Sequence, residues 1–301
     1  MGRRMTRREL LAAAAAAGAP VRSRVVVARG GSAAALLDRA MQAYFGVNSP
    51  VEAWRQVAGP AEVVGLKVNC LAGKGLSTSV PLVEAVCERL QQAGVPRRNI
   101  VIWDRSNYDL ESGGYRISES RDRIRCFGND AAGYEDELTV SGSAGSRLSK
   151  ILTRMCDAVI NLPVLKDHGI TGVTMALKNM FGAIHNPNKY HPNAGDPFVA
   201  EVYKMPPIPR KVRLTICDAI TAQYEGGPSY MPQWAWPCQS LLVSRDPVAL
   251  DAVGWEMIER KRAEKGMKPL KALRREPTYI ATAARLGLGV NDLKRIEKIE
   301  A

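Results

Sequence analysis

Apolar residues along the chain fall into short runs of strand length, at Val63–Val68, Ile100–Trp103, Ala158–Leu162, Val212–Cys217 and Leu241–Ser244. Each is bounded by polar or turn-forming residues, the pattern of buried strands. Most are followed by stretches with helical periodicity, Pro81–Ala93, Thr171–Phe181 and Pro247–Arg262. Pro81 and Pro247 stand where a helix tolerates proline, in its first turn. Alternation of this kind predicts an α/β fold: a mostly parallel, doubly wound sheet with helices on both faces. The proline-rich stretch at 205–209 is short and has apolar runs on either side, so it reads as a loop within a single domain. The expected organisation is an N-terminal segment at 1–19, a helical lead-in at 20–60 and the α/β domain at 61–301.

Polar residues follow the apolar runs closely: Asn69, Asp104 to Asn107, Asn161 with Lys166–Asp167–His168, Asp218, and Arg245–Asp246. In an open parallel sheet the carboxyl ends of the strands share one edge, where ligands bind in a crevice. Asp104 and Asp218 are thus candidate acids or bases, although capping a helix would equally account for them, as it would for Asp246 before Pro247. The loop Asn69–Ser79 contains two glycines, Lys74 and three hydroxyls ahead of a helix, a setting that favours anions. It is neither a Walker A sequence nor G-x-G-x-x-G, and a plain glycine turn explains it as well.

The densest chemistry lies at 161–193. All three histidines, His168, His185 and His191, occur there. With a helix over Thr171–Phe181, Thr171, Thr174 and Lys178 share one face and Asn179 adjoins it. His168 then sits just ahead of the helix, where Asp167 could orient it as a base or as a metal ligand. His185 and His191 belong to an Asn/Pro-rich loop. The candidate set is therefore Lys166, Asp167, His168, Asp104 and Asp218 for catalysis, and Lys67, Asn69, Lys74, Lys178 and Asn179 for an anionic substrate or cofactor. His168, Asp167 and His185 are the candidate ligands for a divalent metal.

Composition narrows the field. Hydrophobic residues make up 46% of the 301 residues and charged residues 24%, the balance of a globular chain. The formal charge is +12, and about +9 without residues 1–19, but the basic residues are scattered and no nucleic-acid-binding motif is present, so nucleic acid is not an expected partner. Six cysteines occur with no close pair, so no iron-sulfur cluster is expected. The N-terminus, with Thr6–Arg7–Arg8–Glu9–Leu10–Leu11 before an alanine run, resembles a twin-arginine signal. Its apolar stretch of about ten residues is too short for a bilayer, which takes roughly 20. That resemblance implies the twin-arginine translocase as a partner and a periplasmic or otherwise exported protein.

Several pieces together resemble one family. Val64–Asn69, Val101–Asp104, Asn161–His168, Leu177–Gly182, Ser244–Asp251 and Arg285–Gly289 are similar to the domain of unknown function 362, over roughly Ala61 to the C-terminus. The family brings no settled activity. Some members look like iron-sulfur proteins through an added ferredoxin-like cysteine module, which this sequence lacks. A more distant similarity to the nickel-pincer lactate racemase group rests on His and Lys near an α/β crevice. Two functions follow as expectations: an exported enzyme, metal- or cofactor-assisted, acting on a small anionic substrate, or a non-catalytic periplasmic module binding such an anion.

Overall fold

The computed structural model describes residues 22–301; the expected signal at 1–19 lies outside the described residues. Twelve strands are seen: β1 (Ser23–Arg29), β2 (Val64–Lys67), β3 (Ile100–Trp103), β4 (Arg125–Cys126), β5 (Thr139–Ser141), β6 (Ala144–Ser146), β7 (Ala158–Asn161), β8 (Val164–His168), β9 (Gly172–Thr174), β10 (Val212–Gln223), β11 (Ala235–Ser244) and β12 (Ile296–Glu300). Ten build one sheet in the order β12-β1-β11-β10-β7-β2-β3-β4, with β8 beside β10 and β9 beside β8. β5 and β6 form a separate hairpin.

The sheet is α/β and mostly parallel, with helices on both faces. β1 shows why: Val25 and Val27 enter one apolar core while Val26 and Ala28 enter the other, as the two-residue period of a strand requires. The helices Ala33–Phe45, Pro50–Arg55 and Val80–Gln92 cover one face. Pro247–Glu264, Phe198–Lys204 and Tyr279–Arg285 cover the other. Within this sheet only β1/β11, β10/β11 and the β8/β9 hairpin are antiparallel. Among the described residues no helix is long and apolar enough to cross a membrane.

Four local features differ from the sequence expectation. The lead-in at 20–60 is not wholly helical, because the β-branched run Val25–Val27 belongs to a strand that fills the gap between β11 and β12. β10 does not stop at Cys217 but continues to Gln223. β7 and β8 lie end to end along it, with Val212–Thr215 paired to β7 and Asp218 and Gln223 paired to β8. Leu162–Pro163 separates the two, and the Pro163 carbonyl accepts from Asp218 N at 2.8 Å. Finally, the helix expected over Thr171–Phe181 is instead β9, one helical turn at Ala176–Asn179 and a tighter turn at Met180–Ala183.

Asp246 does cap its helix: Oδ1 accepts from Val248 N and Ala249 N, both at 2.9 Å, and Oδ2 from Val290 N at 2.9 Å. The last of these bonds docks the C-terminal Arg285–Gly289 motif. A Cβ at Gly289 would fall 1.8 Å from Asp246 Oδ1, so only glycine permits the approach.

Candidate functional site

The carboxyl ends of β2, β3 and β7 meet the β8/β9 hairpin and the Ala176–Asn179 turn around a cavity of about 420 Å³. Lys67, at the end of β2, is 1% exposed. Its ammonium donates to Asp104 Oδ1 (2.7 Å), Val68 O (2.6 Å) and Asn179 Oδ1 (3.5 Å), which uses all three protons. Asp104 is also well engaged, Oδ1 accepting from Arg105 N as well and Oδ2 from Cys70 N. The buried pair is thus neutral overall and multiply hydrogen-bonded, the condition under which burial of charge is tolerated. Gly182 closes over it: a Cβ there would stand 2.7 Å from Lys67 Nζ and 2.9 Å from Asp104 Oδ1.

Three asparagines fasten the helical turn to the strand ends. Asn179 accepts from Asn69 Nδ2 (3.0 Å) and donates to Asn161 Oδ1 (2.8 Å) and Lys67 O (3.2 Å). Asn161 in turn donates to Ala176 O at 2.8 Å. Asn69 Oδ1 accepts from Lys166 Nζ at 2.8 Å. Because every amide has its partners, the network is rigid and holds the neighbouring lysines in place.

Those lysines are the unusual groups. Lys166 is 0% exposed and Lys178 8%, and among the described residues neither forms an ion pair with a carboxylate. Burial lowers Lys166 to about 8, with Asp104 pulling weakly the other way. Burial, then the charge of Lys166, lowers Lys178 to about 7. Lys178 Nζ lies 3.1 Å from His191 Nε2 and 4.8 Å from the centroid of the Phe181 ring. Arg105, also on the wall, is paired with Asp109. Two positive charges are therefore in surplus when both lysines are protonated.

The two histidines have assignable tautomers from their partners. His168 Nδ1 accepts from Ile170 N (3.2 Å) and Thr171 N (3.3 Å), so its proton is on Nε2. Burial and the Lys178 charge hold this imidazole far below its usual range. His191 donates from Nδ1 to Asn188 O (3.0 Å), leaving Nε2 to accept from Lys178. The rings stack at 5.3 Å. Thr174, opposite Lys166 in the hairpin, lines the same cavity with a buried hydroxyl that has no partner.

Of the expected site residues, the fold brings together Lys67, Asn69, Asp104, Lys166, His168, Lys178 and Asn179. It leaves others outside. Asp167 alternates with Lys166 and His168 along β8 and points the opposite way, to Arg275 (3.3 Å) and Gly227 N (3.1 Å), so it does not orient His168. Burial pushes its carboxyl up to about 6 against the pull of Arg275. Asp218 is interior to β10, where it accepts from Ser79 N (2.8 Å) at the start of the Val80–Gln92 helix and from Ile220 N (3.0 Å). Lys74 is exposed and does not line the cavity. The loop around it turns its N–H groups inward, Gly73 N to Cys70 O and Thr78 N to Asn69 O, rather than offering them to an anion. His185 is exposed against the Tyr134 ring at 5.1 Å, and His191 takes the place beside His168. Thr171 bonds Val173 O instead of sharing a helical face with Thr174 and Lys178.

A directly ligated divalent cation does not fit these residues. His168 has committed its lone pair to two N–H donors, Asp104 is paired with Lys67 and accepts two backbone N–H groups, and the lysines repel a cation. Among the described residues no group of three or more His, Cys, Asp or Glu side chains converges. The free groups are donors: Lys166, Lys178, His168 Nε2–H and Thr174 O–H.

Residues 64–256 match the family model described as Domain of unknown function (DUF362). The chain belongs to this family. No curated protein matches it. Among solved structures, this family member is similar to the lactate racemase apoprotein from Thermoanaerobacterium thermosaccharolyticum, with a TM-score of 0.42 and 9% identity over 64% of this chain and 50% of that one. It is also similar to a protein from Thermotoga maritima, with a TM-score of 0.44 and 11% identity over 71% of this chain and 58% of that one. The chain thus spans about half the length of these structures.

Proposed function

We propose that the cavity is the active site of an enzyme acting on a small anionic substrate, in which Lys166 holds the anion and Lys178 is the base. The observation that carries this reading is the pair of buried lysines without a carboxylate partner beside an unpartnered Thr174 hydroxyl. Isolated buried charge is costly, and an anion seated between the lysines would complete both the charge balance and the hydrogen bonding. His168 Nε2–H would donate to a substrate oxygen. An amine lowered to about 7 is half neutral at neutral pH, so Lys178 can accept a proton that an ordinary lysine could not. An anionic organic cofactor would meet the same donors, Lys166, Lys178 and Thr174.

The test is the reactivity of the amine. Trinitrobenzenesulfonate, itself an anion, should label Lys178 with a half-maximal rate near pH 7, whereas surface lysines label near pH 10. Inorganic phosphate should protect it. Peptide mapping by mass spectrometry reads both. A Lys178 midpoint above pH 9 would remove the base and leave the alternative function, a non-catalytic binding module for the same anion.

Export through the twin-arginine translocase to the periplasm is part of the same proposal, supported by Arg7–Arg8 and the weakly apolar run that follows. Exchanging both arginines for lysine should leave folded protein in the cytoplasm. Unchanged fractionation of that variant would rule the signal out.

A further inference from the structure

The cavity has a gradient of chemistry along its depth. Its floor and walls hold the buried donors Lys166, Lys178 and Thr174, whereas its mouth carries Leu71 and Ile170, both 52% exposed. These two come from separate segments, the Asn69–Ser79 loop and the turn joining β8 to β9. Pro187 and Pro228, both half-buried, also line the opening. Two large apolar side chains left in water on separate loops beside one opening mark a surface that something covers. Phe181, 5% exposed on the wall beside Lys178, continues the apolar lining inward. A fully charged, compact anion such as phosphate would satisfy the floor and leave the mouth wet.

We propose that the substrate is an amphipathic anion, a carboxylate or phosphate head bound at Lys166 and Lys178 with an apolar tail that leaves past Phe181 between Leu71 and Ile170. This rests on the anion-site reading above and adds the class of molecule. The tail is committed to the rim because the rim is continuous with the cavity, and the head is committed to the floor by charge complementarity. The hydrophobic contribution of the tail would grow with each methylene until it clears the opening.

Straight-chain carboxylates from acetate to octanoate, titrated calorimetrically at pH 6 alongside phosphate, test this directly. Affinity should rise about fourfold per methylene over part of the series. A Leu71→Asn, Ile170→Asn double variant should flatten the rise, with octanoate losing far more than acetate. Lys166→Met should weaken every member. If acetate binds in a Lys166-dependent way but chain length has no effect, the tail inference falls while the anion site stands. If the slope survives in the rim variant, the tail lies elsewhere and the inference also falls. Self-association of the native chain that is lost in the rim variant, with no chain-length slope, would make the rim a contact between copies instead. Failure of all carboxylates and of phosphate to bind overturns both readings.

Discussion

Lys178→Met is expected to melt higher than the native protein when no ligand is present, and to lose anion binding at least tenfold. The buried ammonium, lowered from 10.5 to about 7, is a liability in the folded state. At about 1.4 kcal/mol per pKa unit the full shift corresponds to about 5 kcal/mol, and an effective interior dielectric well above the dry value reduces the expected gain to about 2–3 kcal/mol. Methionine keeps the volume and the contact with Phe181 while removing the charge. The sign follows from proton linkage: between about pH 7 and 10.5 the unfolded lysine carries a proton that the folded one has lost, so native stability rises with pH across that window. The advantage of the methionine variant should therefore be full below pH 7 and vanish near pH 10.5. Melting curves of both proteins from pH 6 to 10 measure it. A variant less stable than native throughout would mean that the ammonium is stabilised by its surroundings, and the trade of stability for function would be disproved.

Asp251→Ala should do the opposite and damage fold and site together. Asp251 is buried on the Pro247–Glu264 helix, and its two oxygens accept from Ala176 N (2.7 Å) and Leu177 N (3.1 Å). It thereby fixes the first residues of the turn that carries Lys178 and Asn179. Burial pushes its carboxyl up to about 8, against the pull of these two bonds. Removing the carboxyl strands two buried N–H groups at about 1–3 kcal/mol each, so a loss of about 2–6 kcal/mol is expected in denaturant titrations. Because Asp251 is a positioning residue, the labelling midpoint of Lys178 should also move up toward that of an ordinary lysine, and Asp251→Asn, which retains one acceptor, should restore part of both. Native-like stability in Asp251→Ala, or an unmoved Lys178 midpoint, would show that the turn holds itself.

Much of the site was visible in the chain because it sits at strand ends. Ile100–Trp103 reads as a strand, and Asp104 directly after it must reach the carboxyl edge; the same reasoning locates Asn69. Lys166 and His168 were picked out as polar groups beyond the Ala158–Leu162 run, but only the strand Val164–His168 puts them on one face and turns Asp167 away. Assigning Asp167 to the site followed from treating the segment as a turn before a helix. The spacing of Thr171, Thr174 and Lys178 fits a helical face, yet Gly172–Thr174 pairs with Lys166–His168 as a hairpin. Over so short a stretch, periodicity does not separate the two, and pairing with a neighbour decides.

The sequence by itself determined the α/β class, the strand ends that carry Lys67, Asn69 and Asp104, and the concentration of chemistry at 161–193. All of these follow from local pattern, which is written residue by residue. Only the tertiary structure decided that Asp218 is enclosed by a strand running on to Gln223, that His191 rather than His185 stacks on His168, that Thr174 lacks a partner, and that two lysines share a cavity without a carboxylate partner of their own. Each depends on which distant segments pack together, and burial, which shifts the lysines, is a property of the packed surroundings rather than of any residue's neighbours in the chain.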